Sequence, residues 1–372
     1  IDSLPLDAMD SAVAADVNSG PFSGLRVLDI SQGIAGPYCA QMLWQHGAEV
    51  VKVEPPAGDW GRHVGTVAGA HSALSVAYNA GKRGVCLDAR HPAGRAALRR
   101  LADGADVLIQ NFRPGVAARI GVGYHDLAPQ APGLVYVSIS GYGEDGPYAG
   151  APASDSVMQA DSGLMYANQD EAGVPRRIGV LMADIATALY AAQAAMAALY
   201  RQARTGLGSH VRLSLFQACA ALQVNDILAH GMAGARRAGP VSAPNGVFDT
   251  ADGRLSVLAL NNDQFARLCR ALERPEWLRD PAYADNAGRM VPFGAKRCTA
   301  NWPRSSPPGR PPTGSNGCRA RTCCMRACAT TTTWPPMRRP RTWICCRRWS
   351  SPVSARCLMP RCRAWRNAAS LP

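Results

Sequence analysis

The chain has 372 residues, a formal net charge of +13 and 47% hydrophobic residues, enough for two domains and a substantial core. The charge does not point to nucleic acid. Residues 291–372 hold 16 of the 40 Lys and Arg and no Asp or Glu, which leaves 24 basic against 27 acidic residues in 1–290. No run of about 18 apolar residues predicts a membrane span. Four scattered cysteines in the body (Cys39, Cys86, Cys219, Cys269) suit a reducing, cytoplasmic compartment.

Residues 1–21 have neither a basic start nor an apolar stretch and read as a disordered lead-in without a signal peptide. From Leu25 apolar runs alternate with helical patterns. Leu25–Ile30 reads as a buried strand, 36–46 as a helix, and Glu49–Glu54 as a second strand stopped by Pro55-Pro56. Val85–Leu87 is a third strand, 91–103 an amphipathic helix, and Asp106–Ile109 and Leu134–Ile139 two further strands. Strands separated by helices imply crossover connections, so 22–215 is expected to form an open, doubly wound (Rossmann-like) parallel α/β sheet. The alanine-rich run from Ile185 to Arg204 predicts a long helix ended by Gly206 and Gly208, followed by a strand at His210–Leu215 and a helix at 216–230. A hairpin over 244–260 and a helix at 263–272 complete a smaller α+β domain at 216–290.

Ligands of such sheets bind beyond the strand C-termini, so 31–37, 110–115 and 140–146 are expected to line the site. Gly141-Tyr142-Gly143-Glu-Asp-Gly146 matches the dinucleotide fingerprint after a strand. That fingerprint needs a helix to open at once. Pro147 and Pro152 bracket a loop instead, so Gly141, Tyr142 and Gly143, with Ser154 and Asp155 farther along, read as a substrate-site loop. Asp184 is the only acid between Arg177 and Arg201 and stands at the start of the long helix. It is either a helix cap or a carboxylate held ready for chemistry at the positive end of the macrodipole.

After Met290 no hydrophobic period survives, and Pro-Pro and Cys-Cys pairs and five tryptophans replace it. Zinc is not expected there, because the segment has neither His nor a Cys-x-x-Cys pair. A basic nucleic-acid arm with stacking tryptophans is one reading. A frameshifted, poorly ordered segment rich in Arg, Pro and Cys is the reading preferred here.

Taken in order, Ala35-Gly-Pro37, Val51-Lys-Val-Glu-Pro55, Asn79-Ala-Gly-Lys-Arg83, Asn111-Phe-Arg-Pro-Gly115, Ser140–Tyr148, Ala183-Asp184-Ile185 and Arg204-Thr-Gly-Leu-Gly208 resemble the class III CoA-transferases, which include formyl-CoA and carnitine-CoA transferases and the related α-methylacyl-CoA racemases. The resemblance runs from Gly24 to Met290 and makes 22–215 a large CoA-binding domain. It implies that Asp184 is a nucleophile, ionised near neutral pH, that exchanges acyl groups through an aspartyl anhydride and an aspartyl-CoA thioester. It also implies that Ile34, Ala35, Lys82 or Arg83, Asn111, Phe112 and Arg119 meet coenzyme A, the basic ones at loop tips facing phosphates. CoA is then substrate, with no permanently bound cofactor and no metal. The partners are an acyl-CoA and a carboxylic acid, and an intact chain is expected to form an interlocked homodimer.

Two departures narrow this. Ile34 stands where formyl-CoA transferases carry Gln, which counts against formate and oxalate. Their glycine-run lid has no counterpart. Racemases place a catalytic His in a Gly-His-Asp motif, and the matching Ala153-Ser154-Asp155 offers only a hydroxyl that is no base near neutral pH. Racemase is thus the alternative activity, and an inactive product of a frameshifted gene the non-enzymatic one.

Overall fold

The computed structural model describes residues 20–170, 172–233, 241–250, 253–291 and 324–327. The chain divides into two compact units, one running to Leu228 and one starting at Ala229.

The first unit is built on strands β1 (Arg26–Asp29), β2 (Glu49–Glu54), β3 (Arg83–Cys86), β4 (Val107–Gln110), β5 (Val135–Ser140) and β6 (Ser209–Ser214). All pairings are parallel, in the order β3-β2-β1-β4-β5-β6. This is a doubly wound sheet whose order reverses between β1 and β4, where a crevice opens at the strand C-termini. The helices longer than four residues are α1 (Ala35–Gln45), α2 (Ala73–Asn79), α3 (Pro92–Asp103), α4 (Asp155–Asp161), α5 (Met182–Thr205), α6 (Leu215–Leu222) and α7 (Val224–Ala233). The short α2, a 3-10 turn at Trp60–His63 and α4 lie in stretches the sequence reading left as loops. Alternate strand residues feed two cores. Val27, Val107, Ile109, Val135 and Val137 pack with α1, α5 and α6, while Leu28, Ile30, Leu108 and Tyr136 pack with α3 on the other face.

Helix α5 starts three residues before the predicted Ile185 and ends at Gly206 in the left-handed conformation (φ 73°). Its buried face is almost all alanine, so α1 and the sheet approach closely. It is also the one described helix long and apolar enough to cross a bilayer, which corrects the expectation that no segment meets that test. Here that apolar surface is core: half of the 18-residue window is buried inside the protein. The single helix predicted for 216–230 is two. It breaks at Gln223, whose buried amide donates to Ser162 O (3.1 Å) and Cys219 O (3.0 Å).

The second unit carries the predicted hairpin as β7 (Asn245–Thr250) and β8 (Gly253–Leu258), with helix α8 (Asn262–Ala271). Phe265, Leu268, Cys269, Trp277 and Tyr283 form its core. Arg289 is fully buried there, donating to Ala243 O, Tyr283 O and Asn262 Oδ1, with its guanidinium 4.5 Å from the Phe265 ring centroid. A third antiparallel strand on β8 is β9 (Cys324–Ala327), inside the segment read as patternless. The remaining expectations for 292–372, and those for 1–19, lie outside the described residues.

Candidate active site

Asp184 sits on the first turn of α5, and no side chain caps that helix locally, so it is not a cap residue. Three backbone N–H groups are free at this end, and all find partners elsewhere. Met182 N donates to Val180 O (2.8 Å), and Ala183 N (2.8 Å) and Asp184 N (3.4 Å) both donate to Asp155 Oδ1. The Asp184 carboxylate therefore receives none of the hydrogen bonds with which a helix start stabilises an anion. Burial, and then the negative charge of Asp155, push its pKa up to about 7. Burial and the second acid thus act against the expectation that the helix start keeps this group ionised near neutral pH.

Around it stand groups that sequence reasoning missed. Tyr78 of α2 feels the Asp184 charge and packs at a tilt against Tyr38 of α1, with ring centroids 4.9 Å apart. The Cys219 thiol of α6 is pushed up by burial and by the Asp155 and Asp184 charges, against a hydrogen bond with Ser162. Gln159, one turn after Asp155, donates to Asp155 Oδ2 (2.7 Å) and to Val180 O (3.3 Å), and accepts from Ile178 N (2.9 Å). The Asp155/Gln159 spacing of four was the available signal, since it puts both on one helical face.

Asp155 and Ser154 were expected on a substrate loop. Ser154 instead caps α4, accepting from Val157 N, and Asp155 is buried as the first residue of that helix. Gly141, Tyr142 and Gly143 do form a loop, and no helix opens before Asp155, which removes the dinucleotide reading. A Cβ on Gly141 would collide with Ala153, Gly143 is left-handed (φ 121°), and the Tyr142 hydroxyl donates to Asp161. A depression of about 280 Å³ beside this loop is lined by Ser140, Glu144, Asp145 and Arg212 among others. Asp184 does not line it, and Arg212 already pairs with Asp145 (3.1 Å).

The residues expected on coenzyme A separate into two groups. Lys82 does not reach a loop tip: its ammonium is buried against Asp29 Oδ2 (2.8 Å), Pro37 O (2.8 Å) and Asn79 Oδ1 (3.0 Å), and burial pulls its pKa down to about 8 against the Asp29 charge. It belongs to an interior quartet with Asp29, Lys52 and Asp59, in which Lys52 lies 3.0 Å from Asp59 and 3.7 Å from Asp29. Burial opposes the Asp29 charge, but the two lysines outweigh it and its pKa is lowered. Asp59 also accepts from Gly33 N (2.9 Å), so the quartet ties down the loop that enters α1. Ile34 and Ala35 are buried, leaving only backbone to meet a ligand. Asn111 has both ends of its amide on Gln32 (2.8 Å and 2.7 Å), bridging the crevice between β1 and β4, and Phe112 packs partly into the second core. Arg83 is exposed but opens β3 rather than following a strand end. Arg119 is exposed at the end of a short helical turn (Val116–Arg119) after β4 and makes no ion pair among the described residues, which leaves it the best placed of the three expected cations.

Residues 22–298 match the model of CoA-transferase family III. The chain belongs to this family. It is 38% identical over 286 residues to a succinate–glutarate CoA-transferase of Agrobacterium fabrum, covering 73% of this chain and 71% of that one. It is 36% identical to an acetyl-CoA:oxalate CoA-transferase of Acetobacter aceti (73% and 72% covered) and to the human succinyl-CoA:glutarate CoA-transferase (73% and 64%). Its fold is similar to that of a CAIB/BAIF family protein from Brucella suis, with a TM-score of 0.67 and 34% identity over 77% of this chain and 79% of that one. The Rv3272 protein of Mycobacterium tuberculosis gives 0.68 and 32%, over 76% of each. Within this family III fold, the described residues contain no group of three or more His, Cys, Asp or Glu placed to hold a metal.

Proposed function

We propose that the chain is an acyl-CoA:carboxylate CoA-transferase with Asp184 as nucleophile. The observation that carries this is a carboxylate on the first turn of α5 with no hydrogen-bonded partner among the described residues, kept basic by burial and a second acid, in a family III chain. A carboxylate with a raised pKa is a stronger nucleophile once deprotonated than an ordinary one. Asp184 attacks the thioester carbonyl of the donor acyl-CoA, forming a mixed anhydride and releasing CoA thiolate. The thiolate attacks the aspartyl carbonyl, the donor acid leaves as carboxylate, and an aspartyl-CoA thioester remains. The acceptor carboxylate attacks that thioester, regenerating anhydride and thiolate. Attack of the thiolate on the acceptor acyl carbon then gives the new acyl-CoA and restores Asp184. Arg119 is assigned to the CoA phosphates. The succinate and glutarate of two of the relatives' names make four- and five-carbon dicarboxylates the first acceptors to try.

The test is acyl exchange with a panel of acyl-CoAs and acids, together with Asp184→Ala and hydroxylamine trapping. Asp184→Ala is expected to abolish exchange and the trapped adduct; full activity in that variant refutes the assignment. Retention of an α-deuterium label without an acceptor acid removes racemase activity, consistent with Ser154 acting as a helix cap. The cytoplasmic location and the homodimer belong to the same reading, the latter tested by light scattering.

A second reading has its own observation. The family match ends at residue 298, just inside the acid-free segment that starts after Met290. It supports a shift of reading frame there and an inactive chain. A frame-corrected chain is then expected to exchange acyl groups where this one does not; equal activity in both removes it.

A further inference from the structure

The most heavily hydrogen-bonded acid at the site is Asp155, not Asp184. Its carboxylate is almost completely buried, and it takes the Ala183 and Asp184 N–H groups on one oxygen and the Gln159 amide on the other. The guanidinium of Arg177, 4.0 Å away and half exposed, is the only cation within ion-pair distance of it among the described residues.

We propose that Asp155 is a positioning residue for Asp184: it occupies the free N–H groups of α5 so that they cannot stabilise the neighbouring carboxylate, and its own charge keeps that carboxylate basic. This rests on the reading of Asp184 as nucleophile and deepens it. A helix start normally makes an acid a weak base, which would suit a cap and hamper a nucleophile. Filling the helix end from a residue nearly thirty positions away removes that penalty without moving Asp184 off the rigid first turn. Gln159 locks the arrangement by tying Asp155 to the 178–180 segment that leads into α5. The other ionisable groups facing Asp184 are Tyr78, backed by Tyr38, and Cys219. None of them carries charge near neutral pH, since burial raises both Tyr78 and Cys219. Asp155 is the acid that, after burial, raises the pKa of Asp184.

The experiment is the pH profile of acyl exchange for the parent chain, Asp155→Asn, Arg177→Gln and Asp184→Ala. Asp155→Asn keeps an oxygen for Ala183 N but loses the charge, so the acidic limb is expected to move down by about one pH unit or more. The high-pH plateau should fall less than about tenfold. Arg177→Gln strips a partly screened cation from Asp155 and should move the limb up by roughly 0.3. A merely structural role lowers activity equally at every pH, and a limb unmoved in both variants overturns the proposal. Asparagine turns a donor towards Gln159, so should Asp155→Asn fail to fold, the Arg177→Gln profile decides. Exchange that survives Asp184→Ala overturns the nucleophile reading instead, which the other two variants cannot do. The same midpoint is readable without turnover, from the pH at which the growing stability difference between the parent chain and its Asp184→Asn variant levels off; Asp155→Asn should lower that pH as well.

Discussion

Replacing Asp184 by Asn should abolish exchange and yet stabilise the fold, increasingly so as pH rises. Moving a carboxyl from its ordinary 3.8 to about 7 corresponds, at about 1.4 kcal/mol per pH unit, to ~4 kcal/mol between the two protonation states. Its sign follows from which state holds the proton. Below pH 3.8 folded and unfolded chains are both protonated at Asp184 and the site costs nothing. Between 3.8 and 7 the unfolded chain ionises first, so stability falls with rising pH; above 7 the whole cost is present. An asparagine cannot ionise and escapes this. The stability gained by Asp184→Asn should therefore be larger at pH 8 than at pH 5 by about 2.5 kcal/mol, or ~1–2 kcal/mol once water at the half-buried carboxylate screens it. The assay is urea unfolding of parent and variant at pH 5, 6, 7 and 8, where titration of all other groups cancels in the difference. A difference that stays flat with pH, or a variant that loses stability as pH rises, refutes the reasoning.

Exchange by the parent chain should rise through about pH 7 as Asp184 loses its proton, and a rate independent of pH from 6 to 8 contradicts this. Lys52→Met and Asp29→Asn each leave a buried charge without its partner, and each should cost about 3–5 kcal/mol in urea unfolding. Gly141→Ala drives a methyl into Ala153 and should cost about 1–3 kcal/mol, with a raised KM for the acyl substrate. Arg119→Ala should raise KM for acyl-CoA several-fold, more at low salt, and leave the plateau rate intact.

The sheet was legible because its strands are short apolar runs bounded by helices and turns, and each of the six appears within about two residues of its expected place. The Gly141–Gly146 stretch was legible for the opposite reason: proline after it denies the helix that its motif requires. The surroundings of Asp184 were not. The start of α5 depends on Asp155, a partner 28 residues before Ala183, and no local cap pattern announces a remote one. Lys82 reads as a surface cation because burial of lysine depends on Asp29, 53 residues away. The break at Gln223 escapes periodicity for a similar reason, since an inward-turned amide, not a proline or glycine, ends the helix.

The groups described around Asp184, namely Tyr78, Asp155, Gln159 and Cys219, come from the single stretch between β1 and the end of α6. With Asp184 as the proposed nucleophile, the reacting groups are encoded upstream of Gln223, and events farther along the gene leave their code untouched. A lineage that loses activity through changes downstream would keep an intact set of reacting groups in its genome. One restoring event could return the activity without rebuilding the site.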